Sequence, residues 1–194
     1  MKILKIIVLG LLALVLLAGI VAAVMPKSYT VTEEILIDRP LNLVKEQTVD
    51  FRHFQEWSPW SELDSNLQVS YAGEPMQVGS SYTWSGNEKA GSGTQEITAV
   101  SDNRVDIALR FKEPFESEAT TYFEFAEENG QAKVVWGMNG SMPWPMNLMN
   151  AFMKKSIGSD YARGLNGLKQ RCESMTISPE VPVDTLPAPN PDVQ

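Results

Sequence analysis

The sequence predicts an α+β fold in which a long C-terminal helix lies across the concave face of a curved antiparallel sheet, with a separate apolar helix at the N-terminus. Three observations predict it. Short segments of strand character fill residues 29–139, most of them separated by turn residues. One amphipathic stripe follows them near the C-terminus. Before them, every residue from Ile6 to Met25 is apolar or glycine.

The apolar run comes first in the chain. About 20 such residues suffice for a helix to cross the hydrocarbon core of a bilayer, where each backbone group must be satisfied within the segment. Lys2 and Lys5 precede the run, and basic flanks stay on the cytoplasmic side. The expectation is a single-pass signal anchor over residues 1–27 in the inner membrane, with the remainder facing the periplasm or cell exterior. A cleavable signal peptide is the alternative, since Val21-Ala22-Ala23 resembles a cleavage site. The run is longer than a usual signal core, which favours the anchor. Either reading exports the domain.

The strands follow. Tyr29 to Ile37 alternates, and Asp38 and Pro40 then signal a helix start, with Asp38 or a neighbour as cap. A short helix over Leu41 to Gln47 and a turn over Asp50 to Glu56 come next. Further strands are expected at Leu67 to Ala72, Ser80 to Ser85, Gly93 to Val100, Arg104 to Lys112, Phe115 to Glu127 and Ala132 to Asn139. Val105, Ile107, Leu109 and Phe111 share one face of the cleanest of these. Gly73-Glu74-Pro75, Ser85-Gly86-Asn87, Ser101-Asp102-Asn103 and Glu128-Asn129-Gly130 mark turns, and such short spacing favours antiparallel neighbours.

The last helix is expected over Met146 to Cys172. Met149, Met153, Ile157, Tyr161, Leu165, Leu168 and Cys172 recur at three- and four-residue steps. Beyond it, residues 175–194 are acidic and proline-rich without an aromatic, a composition expected to be disordered.

These segments carry a resemblance. Asp38-Arg39-Pro40 follows a strand, and Asp50-Phe51 leads to Trp57-Ser58-Pro59-Trp60. Tyr71-Ala72-Gly73, Trp84-Ser85-Gly86, Gly91-Ser92-Gly93, Val134-Val135-Trp136 and Gly164-Leu165-Asn166-Gly167-Leu168-Lys169 follow in order. Together they resemble the START-like, or SRPBCC, superfamily, in particular its bacterial polyketide cyclase/dehydrase-type members, over nearly all of residues 28–174. The resemblance implies a helix-grip fold: a seven-stranded antiparallel sheet wrapped around the last helix, with two small helices after the first strand. It also implies a cavity that holds apolar ligands in many relatives. Some relatives are cyclases and others carry lipids or hormones, so the fold does not settle the function.

The composition narrows the function classes. A net charge of −8 repels phosphates, so nucleic acid is not an expected partner. The chain has one histidine, His53, and one cysteine, Cys172, which argues against a zinc site and leaves no internal disulfide. Cys172 lies in the helix stripe and reads as a small buried hydrophobe. No Gly-x-Ser-x-Gly elbow occurs, and Lys89-Ala90-Gly91-Ser92-Gly93 lacks the order of a phosphate loop. No cofactor, metal ligand or catalytic residue is expected. Glu116, Glu118 and Glu124 are expected on a solvated face opposite Phe115, Phe123 and Phe125.

Two motifs keep two readings each. Trp57-Ser58-Pro59-Trp60 could form a lip at a cavity mouth, or a plug closing one end of the sheet; core packing is the commoner use of such clusters. Met142-Pro143-Trp144-Pro145-Met146 could touch lipid, or fill the core before a proline-set helix start.

The expected function is membrane-tethered binding of an apolar small molecule or lipid between the sheet and the last helix. The expected lining is Trp84, Leu109, Phe111, Phe123, Trp136, Met138, Met149, Phe152 and Met153, with Met153 facing a cavity against Trp136. One alternative is a cyclase- or dehydrase-like enzyme, which would need His53, Glu96 or Asp160 directed into the cavity. The other is a non-catalytic module of the cell envelope, with a filled core and the acidic tail as contact.

Overall fold

The computed structural model describes residues 1–176. The expected disorder of the tail concerns residues that lie almost wholly outside this range.

Helix α1 spans Lys2–Val24, and only Ala22 of it is buried. It is long and apolar enough to cross a membrane. Strand β1 (Ser28–Ile37) begins after a three-residue joint, Met25-Pro26-Lys27. Helices α2 (Leu41–Val49) and α3 (Phe51–Trp57) follow, then a 3-10 turn at Ser61–Leu63. Strands β2 (Gln68–Ala72), β3 (Ser81–Ser85), β4 (Ser92–Val100), β5 (Arg104–Glu113), β6 (Ser117–Glu128) and β7 (Gln131–Ser141) come next. A second 3-10 turn, Met146–Met149, leads into α4 (Asn150–Ser174).

The seven strands form one antiparallel sheet in the order β1-β7-β6-β5-β4-β3-β2, so β1 closes against the last strand rather than the next one. The alternation seen in β5 is realised: Val105, Ile107 and Leu109 are buried, while Arg104 pairs with Asp106 and Glu124, and Arg110 with Glu96. Glu118 and Glu124 thus lie on the outer face, against arginines of β5. Phe115 is not in β6; it sits exposed in the β5–β6 turn, because that strand begins only at Ser117.

Helix α4 packs along β1, α2 and α3 through Tyr161, Leu165, Leu168 and Cys172, and Gly158 and Gly164 let its backbone approach them. Burial pushes the Cys172 thiol up to about 11.

The helix ends depart from expectation at Asp38 and at Met146. Asp38 does not cap α2; Pro40 occupies that position without a side-chain bond. Asp50 does cap α3, accepting from the Arg52 backbone N–H at 2.9 Å. The last helix starts at Asn150 rather than Met146. The Leu148 N–H bonds the Pro145 carbonyl three residues back, and Met146–Met149 forms a tighter 3-10 turn. That turn directs Asn147 and Asn150 inward and leaves Met149 and Phe152 exposed.

Candidate functional site

The side chains of the concave face form one continuous core with two aromatic groups, joined where Phe51 of α3 meets Tyr82 at 6.1 Å. The first group lies under α2 and α3. Trp136 stacks on Tyr161 with ring centres 3.9 Å apart, and on Phe123 at 5.1 Å on a second side. Trp57 and Trp60 meet Trp136 edge-on at 5.4 and 5.6 Å, and Phe54 does so at 5.8 Å. Trp57-Ser58-Pro59-Trp60 therefore acts as a plug. Pro59 and the Trp136 ring press on Gly164, where a Cβ would lie 3.0 and 2.9 Å from them. The expected space between Met153 and Trp136 is thus corrected: Tyr161 covers that face of the indole. Offset and edge-to-face ring contacts are favourable beyond their area, which is why these six rings close this end together.

One polar chain crosses the plug. The Trp136 indole N–H donates to the Thr121 hydroxyl at 3.1 Å, and the Tyr161 hydroxyl lies 3.1 Å from the same oxygen. Thr121 in turn donates to the Gly137 carbonyl at 2.8 Å. Burial raises the Tyr161 pKa well above the usual tyrosine range, against the pull of the Thr121 bond. The three side chains thus satisfy one another within the protein.

The second group, toward the ends of β3, β5 and β7, is an aromatic wall. Tyr71, Tyr82 and Trp84 run in series with ring centres 5.7 and 5.8 Å apart, and Phe111 meets Trp84 edge-on at 5.7 Å. Gly93 is what lets the Trp84 ring lie flat on the sheet, since a Cβ there would sit 2.5 Å from the ring. The Trp84 N–H is held by the Ala90 carbonyl at 3.1 Å. Leu109 and Met138 are buried beside this wall, and Gln95 is the buried polar group on the neighbouring strand β4.

The expected lining residues are therefore not one set. Trp84, Leu109 and Met138 are buried, Phe111 is half-buried, and all four belong with the aromatic wall. Phe123 and Trp136 belong to the plug. Met153 is half-buried on α4. Met149 and Phe152 are exposed, outside the inward stripe in which they were expected.

The titratable residues singled out for acid–base chemistry lie elsewhere. His53 contacts Gln47 at 3.4 Å, Glu96 pairs with Arg110 on the outer face, and Asp160 pairs with Arg163 on the exposed side of α4. Among the described residues, no group of three His, Cys, Asp or Glu is close enough to hold a metal ion. Two surface recesses flank the fold. One of about 330 Å³ lies over residues 108–110, 118–120 and 139–141. The other, of about 490 Å³, lies between α3 and α4 beside the Glu56–Arg171 ion pair.

Sequence reasoning missed Tyr82, Asn147 and Asn150. Asn147 is fully buried and Asn150 nearly so. Asn147 donates to the Ala22 and Met25 carbonyls at 2.7 and 3.0 Å; Asn150 donates to those of Pro26 and Lys27 at 2.9 and 3.3 Å. Their partners lie more than a hundred residues away in the chain, so no local pattern announces them.

Comparison with known proteins agrees with this architecture. Protein TTHA0849 from Thermus thermophilus is similar in structure, with a TM-score of 0.57 at 16% identity over 75% of this chain and 97% of its own. Protein MLL2253 from Mesorhizobium loti gives 0.56 at 15% identity over 77% of this chain and 100% of its own. Protein CV1439 from Chromobacterium violaceum gives 0.55 at 12% identity over 75% of this chain and 98% of its own. No curated protein matches the sequence. The family model described as polyketide cyclase / dehydrase and lipid transport matches residues 28–173. With three quarters of the sequence under that match and a seven-stranded helix-grip fold around α4, the chain belongs to the polyketide cyclase/dehydrase and lipid transport family.

Proposed function

We propose that this protein binds an apolar small molecule or lipid against the aromatic wall of its concave face, while α1 tethers it to the inner membrane. The observation that carries this reading is the wall itself: Tyr82, Trp84 and Phe111 in series, with Leu109 and Met138 beside them. Such a surface, mostly apolar with a single amide at Gln95, suits a ligand with little charge. The family description includes lipid transport, which supports the same class. Trp84, Leu109, Phe111, Met138 and Met153 form the proposed contact set, backed by Phe123 and Trp136; Met149 and Phe152 would meet ligand only at the mouth. His53, Glu96 and Asp160 are turned away from this face, which favours binding over acid–base catalysis. Lys2 and Lys5 argue for a cytoplasmic N-terminus and a domain on the outer side.

The test uses the chain from Ser28 onward and an apolar dye whose fluorescence rises on binding. The parent domain should bind the dye, and mass spectrometry should find an apolar molecule co-purifying with it. Phe111→Ala removes one ring of the wall at a half-buried position and should weaken dye binding while the domain stays folded. Dye binding unchanged by Phe111→Ala, or no dye binding by the parent, overturns the proposal.

A further inference from the structure

The C-terminal end of α1 is bonded to the loop that precedes α4. The indole N–H of Trp144 donates to the Gly19 carbonyl at 3.3 Å, and its ring lies against Gly19 inside α1. Asn147 reaches the carbonyls of Ala22 and Met25, and Asn150 those of Pro26 and Lys27. The three side chains climb α1 in register, so each has a fixed height relative to the apolar run. Gly19 lies about 7.5 Å below the end of the helix at a rise of 1.5 Å per residue. The run from Ile6 to Met25 is about 30 Å long on the same rise, just the thickness of the hydrocarbon core, so the level of Gly19 falls within it.

Other apolar groups lie at the same end. Trp144 is 55% exposed, Phe152 66% and Leu148 38%. Helix α4 runs away from α1, in step with β1, and helical side chains lean toward the N-terminus, so Phe152 leans back toward α1. The strand register adds a separate observation. Thr30 pairs with Asn139 and Asn139 with Thr120, which sets the start of β6 at the end of the sheet where β1 begins. Phe115, 81% exposed, is in the turn just beyond that end. Above these groups, Lys27, Lys154 and Lys155 are exposed and form no ion pair among the described residues, on a chain whose net charge is −8.

We infer that this end of the domain is seated in the outer surface of the bilayer that α1 spans, with Trp144, Leu148, Phe152 and Phe115 among the acyl chains and headgroups and Lys27, Lys154 and Lys155 at the level of the lipid phosphates. The inference rests on the proposal that α1 crosses a membrane. Tryptophan favours the headgroup boundary, and an interfacial segment buries its apolar groups about 5–10 Å deep, the depth at which α1 holds Trp144. The basic residues suit anionic lipid, which the acidic remainder of the surface would repel. Trp84 and Phe111 lie toward this same end, near the ends of β3 and β5 that adjoin the β5–β6 turn.

The experiment uses the full chain in vesicles of phosphatidylcholine with a minority of phosphatidylglycerol. A polarity-sensitive fluorophore is attached through Phe152→Cys, Leu148→Cys, Leu12→Cys or Glu127→Cys, each in a separate protein. Native Cys172 is buried and its thiol stays protonated at neutral pH, so the introduced thiol is labelled selectively. Labels at 152 and 148 should emit at the short wavelengths of a dry site and be quenched by lipid-borne nitroxides, as the label at 12 is. The label at 127, at the far end of β6, should report water. If 152 and 148 behave like 127 while 12 is in lipid, the seating is overturned and the span stands. If 12 also reports water, the span fails and the seating falls with it.

Discussion

The hydroxyl of Thr121 uses its full bonding capacity in a place where water cannot replace it. It has one proton and two lone pairs. The proton goes to the Gly137 carbonyl at 2.8 Å, so the Trp136 N–H and the Tyr161 O–H must both donate to the oxygen. Replacing it with valine leaves both donors buried without a partner. Each such loss costs about 1–3 kcal/mol, so Thr121→Val should lower stability by at least that much, whereas Thr121→Ser should keep most of it. Urea unfolding of the domain from Ser28 onward checks this, and equal stability of the valine and threonine forms refutes it. At this scale the sequence was uneven. Trp136 was readable as an inward ring from the alternation of β7, but what it faced was not. Tyr161 is far along the chain, and its register against the sheet depends on where α4 begins. The same error of helix start put Met149 and Phe152 in the inward stripe, since the pull of Asn147 and Asn150 on α1 is invisible locally.

Within α4, two glycines of similar burial should respond with opposite signs to the same change. Alanine favours a helix interior by about 1 kcal/mol over glycine. At Gly158 a new Cβ meets only the end of the Glu33 side chain at 3.0 Å and Val31 at 3.7 Å, and a carboxylate can swing aside. At Gly164 it meets the Trp136 ring at 2.9 Å and Pro59 at 3.0 Å. That ring is fixed by two stacks and a hydrogen bond, so overpacking of about 1–3 kcal/mol exceeds the helix gain. Gly158→Ala should therefore be neutral or stabilising and Gly164→Ala destabilising in thermal unfolding; the same sign for both would contradict this account of the plug. Elements were the most legible scale. Alternation in β1 and β5, together with the turn signals between strands, placed all seven strands to within a few residues. The stripe from Tyr161 to Cys172 held, since its residues share one buried face. Its extension back to Met146 failed, because the Leu148 N–H bonds the Pro145 carbonyl three residues back in a 3-10 turn, while Asn147 and Asn150 reach across to α1 and the joint after it.

Across the whole molecule, the helix over a concave sheet followed from the order of the elements and the helix-grip form from the resemblance, while the pairing of β1 with β7 was legible in neither. The orientation proposed for the chain makes a simple forecast. Protease added to spheroplasts expressing the full chain should digest the domain, because Lys2 and Lys5 hold the other end inside. Protection until the cells are lysed would reverse the topology.

The joint between α1 and β1 has a bearing on what kind of traffic such a domain could serve. Met25, Pro26 and Lys27 can reach about 11 Å when fully extended, and the bonds from Asn147 and Asn150 take up even that slack. A ferry between two membranes needs a long rope. With α1 in a bilayer, this domain is moored at a berth: anything it holds can be exchanged only with the lipid beneath it or with a visitor that comes alongside. Lengthening the joint with Gly-Ser repeats would convert berth to ferry without altering the aromatic wall, and so separates the role of the mooring from that of the wall.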